Sequence, residues 1–115
     1  LADRIARAIG PDASVATVLP LDRLSAIIAK TRVFICNNSG PLHIAAALGV
    51  PTVSTMGPTD PGLWRPCGDK SIVVRHDIEC APCARGFCED HLCMLSITVE
   101  EMELAVERQM RSQGC

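Results

Sequence analysis

The chain has 115 residues, 48% of them apolar and 21% charged, and a formal net charge of -2 from 11 Lys plus Arg against 13 Asp plus Glu. A domain of this length buries roughly two-thirds of its unfolded surface, so one domain with its own core is expected; disorder and low complexity are excluded. The charge balance lacks the basic surplus that drives binding to nucleic acid or acidic membranes, and no apolar run approaches the ~18 residues of a membrane span.

The first residues, Leu1-Ala2-Asp3-Arg4, lack the basic start and apolar stretch of a signal peptide, so a cytosolic chain with no transmembrane segment is expected. The sequence starts without an initiator Met and enters a helical pattern at once, with Leu1, Ile5 and Ile9 in step, which suggests part of a longer chain. Gly10-Pro11-Asp12 stops that helix, and the β-branched run Ser14 to Leu19 predicts a short strand closed by Pro20. Leu21, Leu24, Ile27 and Ile28 predict a second helix over about 21 to 31, with Asp22 near its start and Lys30 and Arg32 at its end.

Val33 to Cys36 is a continuous apolar run of strand length, the pattern of a strand covered on both faces, and it opens into the polar Asn37-Asn38-Ser39-Gly40-Pro41. Leu42 to Leu48 predicts a helix apolar nearly all round, stopped by Gly49, and Val50 to Met56 the next strand. Residues 57 to 62, GPTDPG, read as a tight loop, and Ser71 to Val74 as another strand. Residues 76 to 95 show no periodicity. Thr98 with Glu101 forms a capping box, Ile97 and Met102 a hydrophobic staple, and Val99, Met102, Val106 and Met110 one apolar stripe of a last helix that Gly114 can end.

Strands alternating with helices at these intervals predict an α/β fold with a parallel sheet and flanking helices. Ligands of such sheets bind outside the carboxyl ends of the strands, where the loops 37–41 and 57–62 belong. Ser39 is a good N-cap and Pro41 is tolerated in the first turn. A helix start carries about half a positive charge, and its unpaired N–H groups suit a phosphate or diphosphate. Gly40 allows close approach, His43 can donate to a phosphate oxygen, and Asn38 can donate and accept. Ordinary turn and cap chemistry accounts for the same residues. For Thr59 and Asp60 turn formation is the favoured role, and Trp64 is expected to pack the loop.

Seven cysteines are an odd number, so one thiol stays unpaired whatever the others do. Cys80, Cys83, Cys88 and Cys93, with His91 nearby, supply enough soft ligands for tetrahedral zinc. Three readings stand side by side: free or partly buried thiols, structural zinc, and disulfides formed after isolation.

The stretch 33 to 68, VFICNNSGPLHIAAALGVPTVSTMGPTDPGLWRPCG, resembles the ADP-heptose:lipopolysaccharide heptosyltransferases of glycosyltransferase family 9. Members carry (D/N)-S-G-x-x-H-x-A-A-A-L-G-x-P, then F-G-x-T-x-P and W-x-P. A cysteine-bearing segment like Cys80 to Cys93 and a helix start like Ile97 to Glu101 extend the likeness over about 20 to 111. The resemblance implies one half of a GT-B fold. Residues 1–115 would be the Rossmann-like, C-terminal, donor-binding domain of a longer two-domain chain, with the cysteine-rich loop 76–95 within it.

The family's reaction transfers heptose from ADP-heptose to the lipopolysaccharide inner core with inversion. By position Asn38 takes the place of the motif aspartate, Ser39, Gly40 and Pro41 form the phosphate-binding turn, and His43 is the motif histidine. Thr59 and Asp60 make a second loop of the site. Asn38 cannot be a base or an ionic partner, and Met56 stands where Phe is usual, a mild apolar exchange. The resemblance further implies an ADP-sugar donor as partner and no required metal cofactor. The lipopolysaccharide acceptor and the general base would belong to an N-terminal domain, so no catalytic residue is expected here and the isolated piece should be inactive. The location implied is cytoplasmic, including a peripheral place at the inner face of the bacterial inner membrane. The alternative is a non-catalytic α/β module whose cysteine-rich segment binds structural zinc or a protein partner; a related sugar-nucleotide enzyme is a third reading.

Overall fold

The computed structural model describes residues 1–83, 87–112 and 114. The elements are α1 (Ala2–Ile9), α2 (Leu21–Ile28), β1 (Phe34–Asn37), α3 (Gly40–Ala47), β2 (Thr52–Thr55), α4 (Pro61–Trp64), β3 (Ser71–Val74), α5 (Leu92–Leu95) and α6 (Val99–Arg111). The three strands form one parallel sheet in the order β1-β2-β3. Flanking helices make it a Rossmann-like α/β arrangement: α2 and α3 pack together, α3 lies on β1 and β2, and α6 lies on β2 and β3.

The core lies where the small residues of α3 meet the sheet. Ile28, Ala45 and Val50 are buried in one cluster with Leu24, Phe34 and Ile44 packed against it. Ala45 at the contact lets the helix approach the strands closely. Gly49 adopts φ +71, a left-handed conformation that turns the chain off α3 into β2 without a Cβ penalty.

β2 is the buried middle strand. Thr52, Val53 and Ser54 are fully covered although two of them are polar, and Thr52 Oγ1 donates to Ser71 Oγ of the neighbouring strand at 2.9 Å. The apolar run ending at Cys36 predicts burial on both faces, and the structure corrects this. β1 is an edge strand: Phe34 packs into the core, while Ile35, on the opposite face, is 55% exposed.

The segment 14–19 is not a strand. Among the described residues it has no ladder partner; Val18 is 99% exposed with φ +52, and residues 13–16 share a shallow groove with α1 instead. β-branched residues favour a strand only where a neighbour supplies the hydrogen bonds, and Pro20 removes one donor. The second helix ends three residues before the expected 31, at Ile28, and the second strand is trimmed to 52–55.

The capping box of α6 forms as expected: Glu101 N donates to Thr98 Oγ1 at 3.2 Å and Thr98 N to Glu101 Oε2 at 2.8 Å. The buried face of α6 differs from the apolar stripe. Ala105 and Gln109 are buried, with Met102 and Val106 half-buried, whereas Val99 is largely exposed. Gln109 turns inward because its amide Nε2 donates to the Lys70 carbonyl at the start of β3. The helix ends at Arg111 rather than at Gly114.

Candidate functional site

All three strands end in one row, Asn37 beside Thr55 beside Val74. Thr55 Oγ1 donates to Asn37 Oδ1 at 2.9 Å, Asn38 N donates to Thr55 O at 3.2 Å, and Met56 N to Val74 O at 3.1 Å. The next residues on β1 and β2 therefore leave the sheet side by side. Their loops meet directly: Asn38 Nδ2 donates to Thr59 Oγ1 at 2.8 Å, joining the two polar loops read from the sequence.

Ser39 occupies the N-cap position of α3 with extended backbone, and Gly40 and Pro41 form the first turn. Its hydroxyl does not cap the helix; Oγ donates back to Asn37 O at 3.3 Å, and since Leu42 N donates to Ser39 O at 3.0 Å and Pro41 has no N–H, the amide that this turn leaves to other partners is that of Gly40. A Cβ at Gly40 would meet no described atom within 4 Å, so the glycine faces open space rather than the protein's own packing. His43 is exposed on the next residue but one after Pro41. No hydrogen bond among the described residues links it to Asn38 or Thr59.

Asp60 is a cap. It stands at the N-cap of α4, a single turn that the sequence offered only as loop, and its Oδ1 accepts from Gly62 N at 2.8 Å. Thr59 and Asp60 line a cleft of about 310 Å³ together with Trp64, Pro82 and Cys83. Trp64 is 53% exposed on the wall of this cleft rather than packed beneath the loop.

Among the described residues no group of three or more His, Cys, Asp or Glu is placed to hold a metal ion, and Cys80, Cys83, Cys88 and Cys93 are free thiols. Cys88 Sγ accepts from His91 N, Cys93 is buried, and Cys83 faces the cleft. On β1, burial pushes the Cys36 thiol up to about 11, so it stays protonated at neutral pH.

Sequence reasoning missed Asn37 and Thr55, whose cross-strand bond depends on register, and Arg75, the cation that directly follows β3 and pairs with Asp77. It also missed Cys83 as a cleft residue, since nothing in its spacing points to a contact with residues 58–60.

Residues 1–92 match the model of glycosyltransferase family 9 (heptosyltransferase), a stretch that includes both loops and both halves of the Asn38–Thr59 contact. The chain belongs to glycosyltransferase family 9. Family relatives include lipopolysaccharide heptosyltransferase 1 of Pseudomonas aeruginosa, 36% identical over 77 residues, which are 67% of this chain and 22% of that protein. Lipopolysaccharide heptosyltransferase 2 of Escherichia coli K12 is 31% identical over 87 residues, 71% of this chain and 24% of that protein. Lipooligosaccharide heptosyltransferase 2 of Campylobacter jejuni is 35% identical over 78 residues, 65% of this chain and 24% of that protein. The match to this family 9 chain thus spans about a quarter of the length of the curated relatives. No solved structure matches it significantly. Among the described residues no helix is long and apolar enough to cross a membrane.

Proposed function

We propose that this chain is the donor-binding half of an inverting glycosyltransferase of GT-B architecture, which transfers heptose from ADP-heptose to the inner core of lipopolysaccharide. The observation that carries the reading is the Asn38–Thr59 hydrogen bond at the carboxyl end of the sheet. It brings the start of α3 and the loop after β2 to one crevice, the place where open α/β sheets take nucleotides.

The chemistry asked of this half is leaving-group stabilisation. As the glycosidic bond to the diphosphate breaks, negative charge grows on the phosphate oxygens. The Gly40 amide at the start of α3 and the helix macrodipole meet that charge without reorganisation. The open space in front of Gly40 leaves room for a phosphate against the backbone. Asn38 supplies a neutral hydrogen-bonding group and Thr59 a hydroxyl, both suited to sugar or phosphate oxygens. Asp60 has its carboxylate engaged by Gly62, which favours a supporting role for it. Neither Asn38 nor Thr59 can serve as general base at neutral pH. That group and the lipopolysaccharide acceptor belong to another part of the enzyme in this reading.

No metal enters the proposal, and its site is cytoplasmic, where ADP-sugars are available. The test is NMR titration with ADP. Amide signals of residues 38–40, 42 and 43 should shift in a saturable way, and silence there at millimolar ADP would overturn the reading.

A further inference from the structure

The proposed function gives the cysteine-bearing segment no role, yet that segment holds the loop on which the site depends. Gly57 is the second residue beyond β2 and is buried. A Cβ built on it would lie 2.6 Å from Met94 Sδ, 2.9 Å from Met94 Cγ and 3.0 Å from Cys93 Sγ. Both side chains come from α5, which therefore presses on the bare backbone at the point where the loop begins. No other glycine among those described is approached so closely. The following residue is held from a different direction: Cys83 N donates to Pro58 O at 2.8 Å.

The four residues that open the loop each have one distinct restraint. Gly57 meets α5, Pro58 meets Cys83, Thr59 meets Asn38, and Asp60 caps α4. Only Thr59 reaches across to the loop after β1. Its reach is set by where the two preceding residues are fixed, because the three are consecutive in a chain with little slack. A hydrogen bond tolerates only a few tenths of an ångström and some tens of degrees before it weakens.

We infer that Met94 and Cys93 are positioning residues: by packing α5 on Gly57 they set the height of the 57–60 loop so that Thr59 meets Asn38 across the crevice. The inference deepens the donor-site reading and rests on it for the ligand; the positioning itself is read without any ligand. Met94 suits the task because a thioether is polarisable and adapts its rotamers to an irregular gap. The thiol of Cys93 acts here as a small buried apolar group, so its part needs neither metal nor redox chemistry.

The experiment compares Gly57→Ala, Met94→Ala, Met94→Leu and the double variant Gly57→Ala/Met94→Ala with the parent protein. Two readouts are taken: the side-chain amide signals of Asn38 without ligand, and ADP affinity by calorimetry. Gly57→Ala should move the Asn38 signals and weaken ADP binding by about fivefold, the loss expected for one positioned hydrogen bond. The double variant lacks the Sδ and Cγ that the new methyl would strike, so both readouts should return toward the parent. Met94→Leu should leave the Asn38 signals in place, while Met94→Ala should move them.

Unchanged Asn38 signals in folded Gly57→Ala would overturn the inference, as would a folded double variant no better than the single one. If Gly57→Ala does not fold, the Met94 pair decides: equal Asn38 signals in Met94→Ala and Met94→Leu sink the idea. A parent protein that binds no ADP would sink the donor-site reading instead, and the Asn38 signals would still decide the positioning.

Discussion

At the scale of single residues, Asn38 carries the most. Its Nδ2 donates to a half-buried threonine hydroxyl that can also act as donor, so an acceptor oxygen at position 38 would be met equally well. The geometry can hold aspartate as well as asparagine here, because a carboxylate would accept from Thr59 where the amide donates. Asn38→Asp should therefore keep the two loops joined, whereas Asn38→Leu should leave the Thr59 hydroxyl without its partner. The leucine variant is expected to lose about 1 kcal/mol of stability and the aspartate variant clearly less, read from urea midpoints at unchanged m. Charge separates the two further. A carboxylate beside the start of α3 is welcome to the helix dipole but repels a diphosphate, so Asn38→Asp should bind ADP more weakly, and added salt should narrow the gap. Equal midpoints for all three proteins would remove the Asn38–Thr59 bond from any structural account of the site.

Among the elements, α6 is the one whose sequence signals and structure agree most closely at its start and least along its body. Thr98 and Glu101 cap it reciprocally, and the same carboxylate sits 3.0 Å from His76 Nε2, just beyond β3. One carboxylate thus fixes the helix start and ties it to the end of the sheet. The backbone N–H of Thr98, then the His76 side chain, hold the Glu101 carboxyl below its ordinary value of 4.5. Because folding lowers this pKa, the folded chain keeps Glu101 ionised where the unfolded chain has begun to protonate it. The contribution is full above the ordinary value and is lost as pH falls through the lowered one. Glu101→Gln should therefore flatten the loss of stability on acidification from about pH 5 downward, measured by urea unfolding at a series of pH values. Thr98→Ala should cost about 1 kcal/mol of stability, the usual worth of an N-cap hydroxyl. A Glu101→Gln protein with the parent's acid profile would show that other carboxylates govern it.

For the whole molecule, what the sequence made legible was whatever depends on near neighbours. The strand 71–74, the start of α6 and the two loops at the carboxyl ends follow from runs, caps and turn residues close together in the chain. What stayed hidden depends on distant partners. Residues 14–19 have strand composition but no neighbouring strand among the described residues, Gln109 is buried by a carbonyl 39 residues away, and the contact of α5 with Gly57 joins segments far apart in the chain. The same contrast predicts a steep gradient of local stability. β2 is paired on both sides, with Thr52, Val53 and Ser54 wholly covered, whereas α1 has eight residues and buries none of them. An isolated helix of that length is unstable in water, because its nucleation is costly and no packed face repays it. Hydrogen exchange should therefore find β2 amides opening only with global unfolding, and α1 amides exchanging near the rate of an unstructured peptide. The apolar stripe Leu1, Ile5 and Ile9, exposed along α1, makes the opposite result informative. Protection of α1 comparable to that of β2 would require that stripe to be covered in solution. If it faded on dilution, the cover would be a second copy of the chain; if it did not, α1 would be held more firmly by its own chain than its packing here allows.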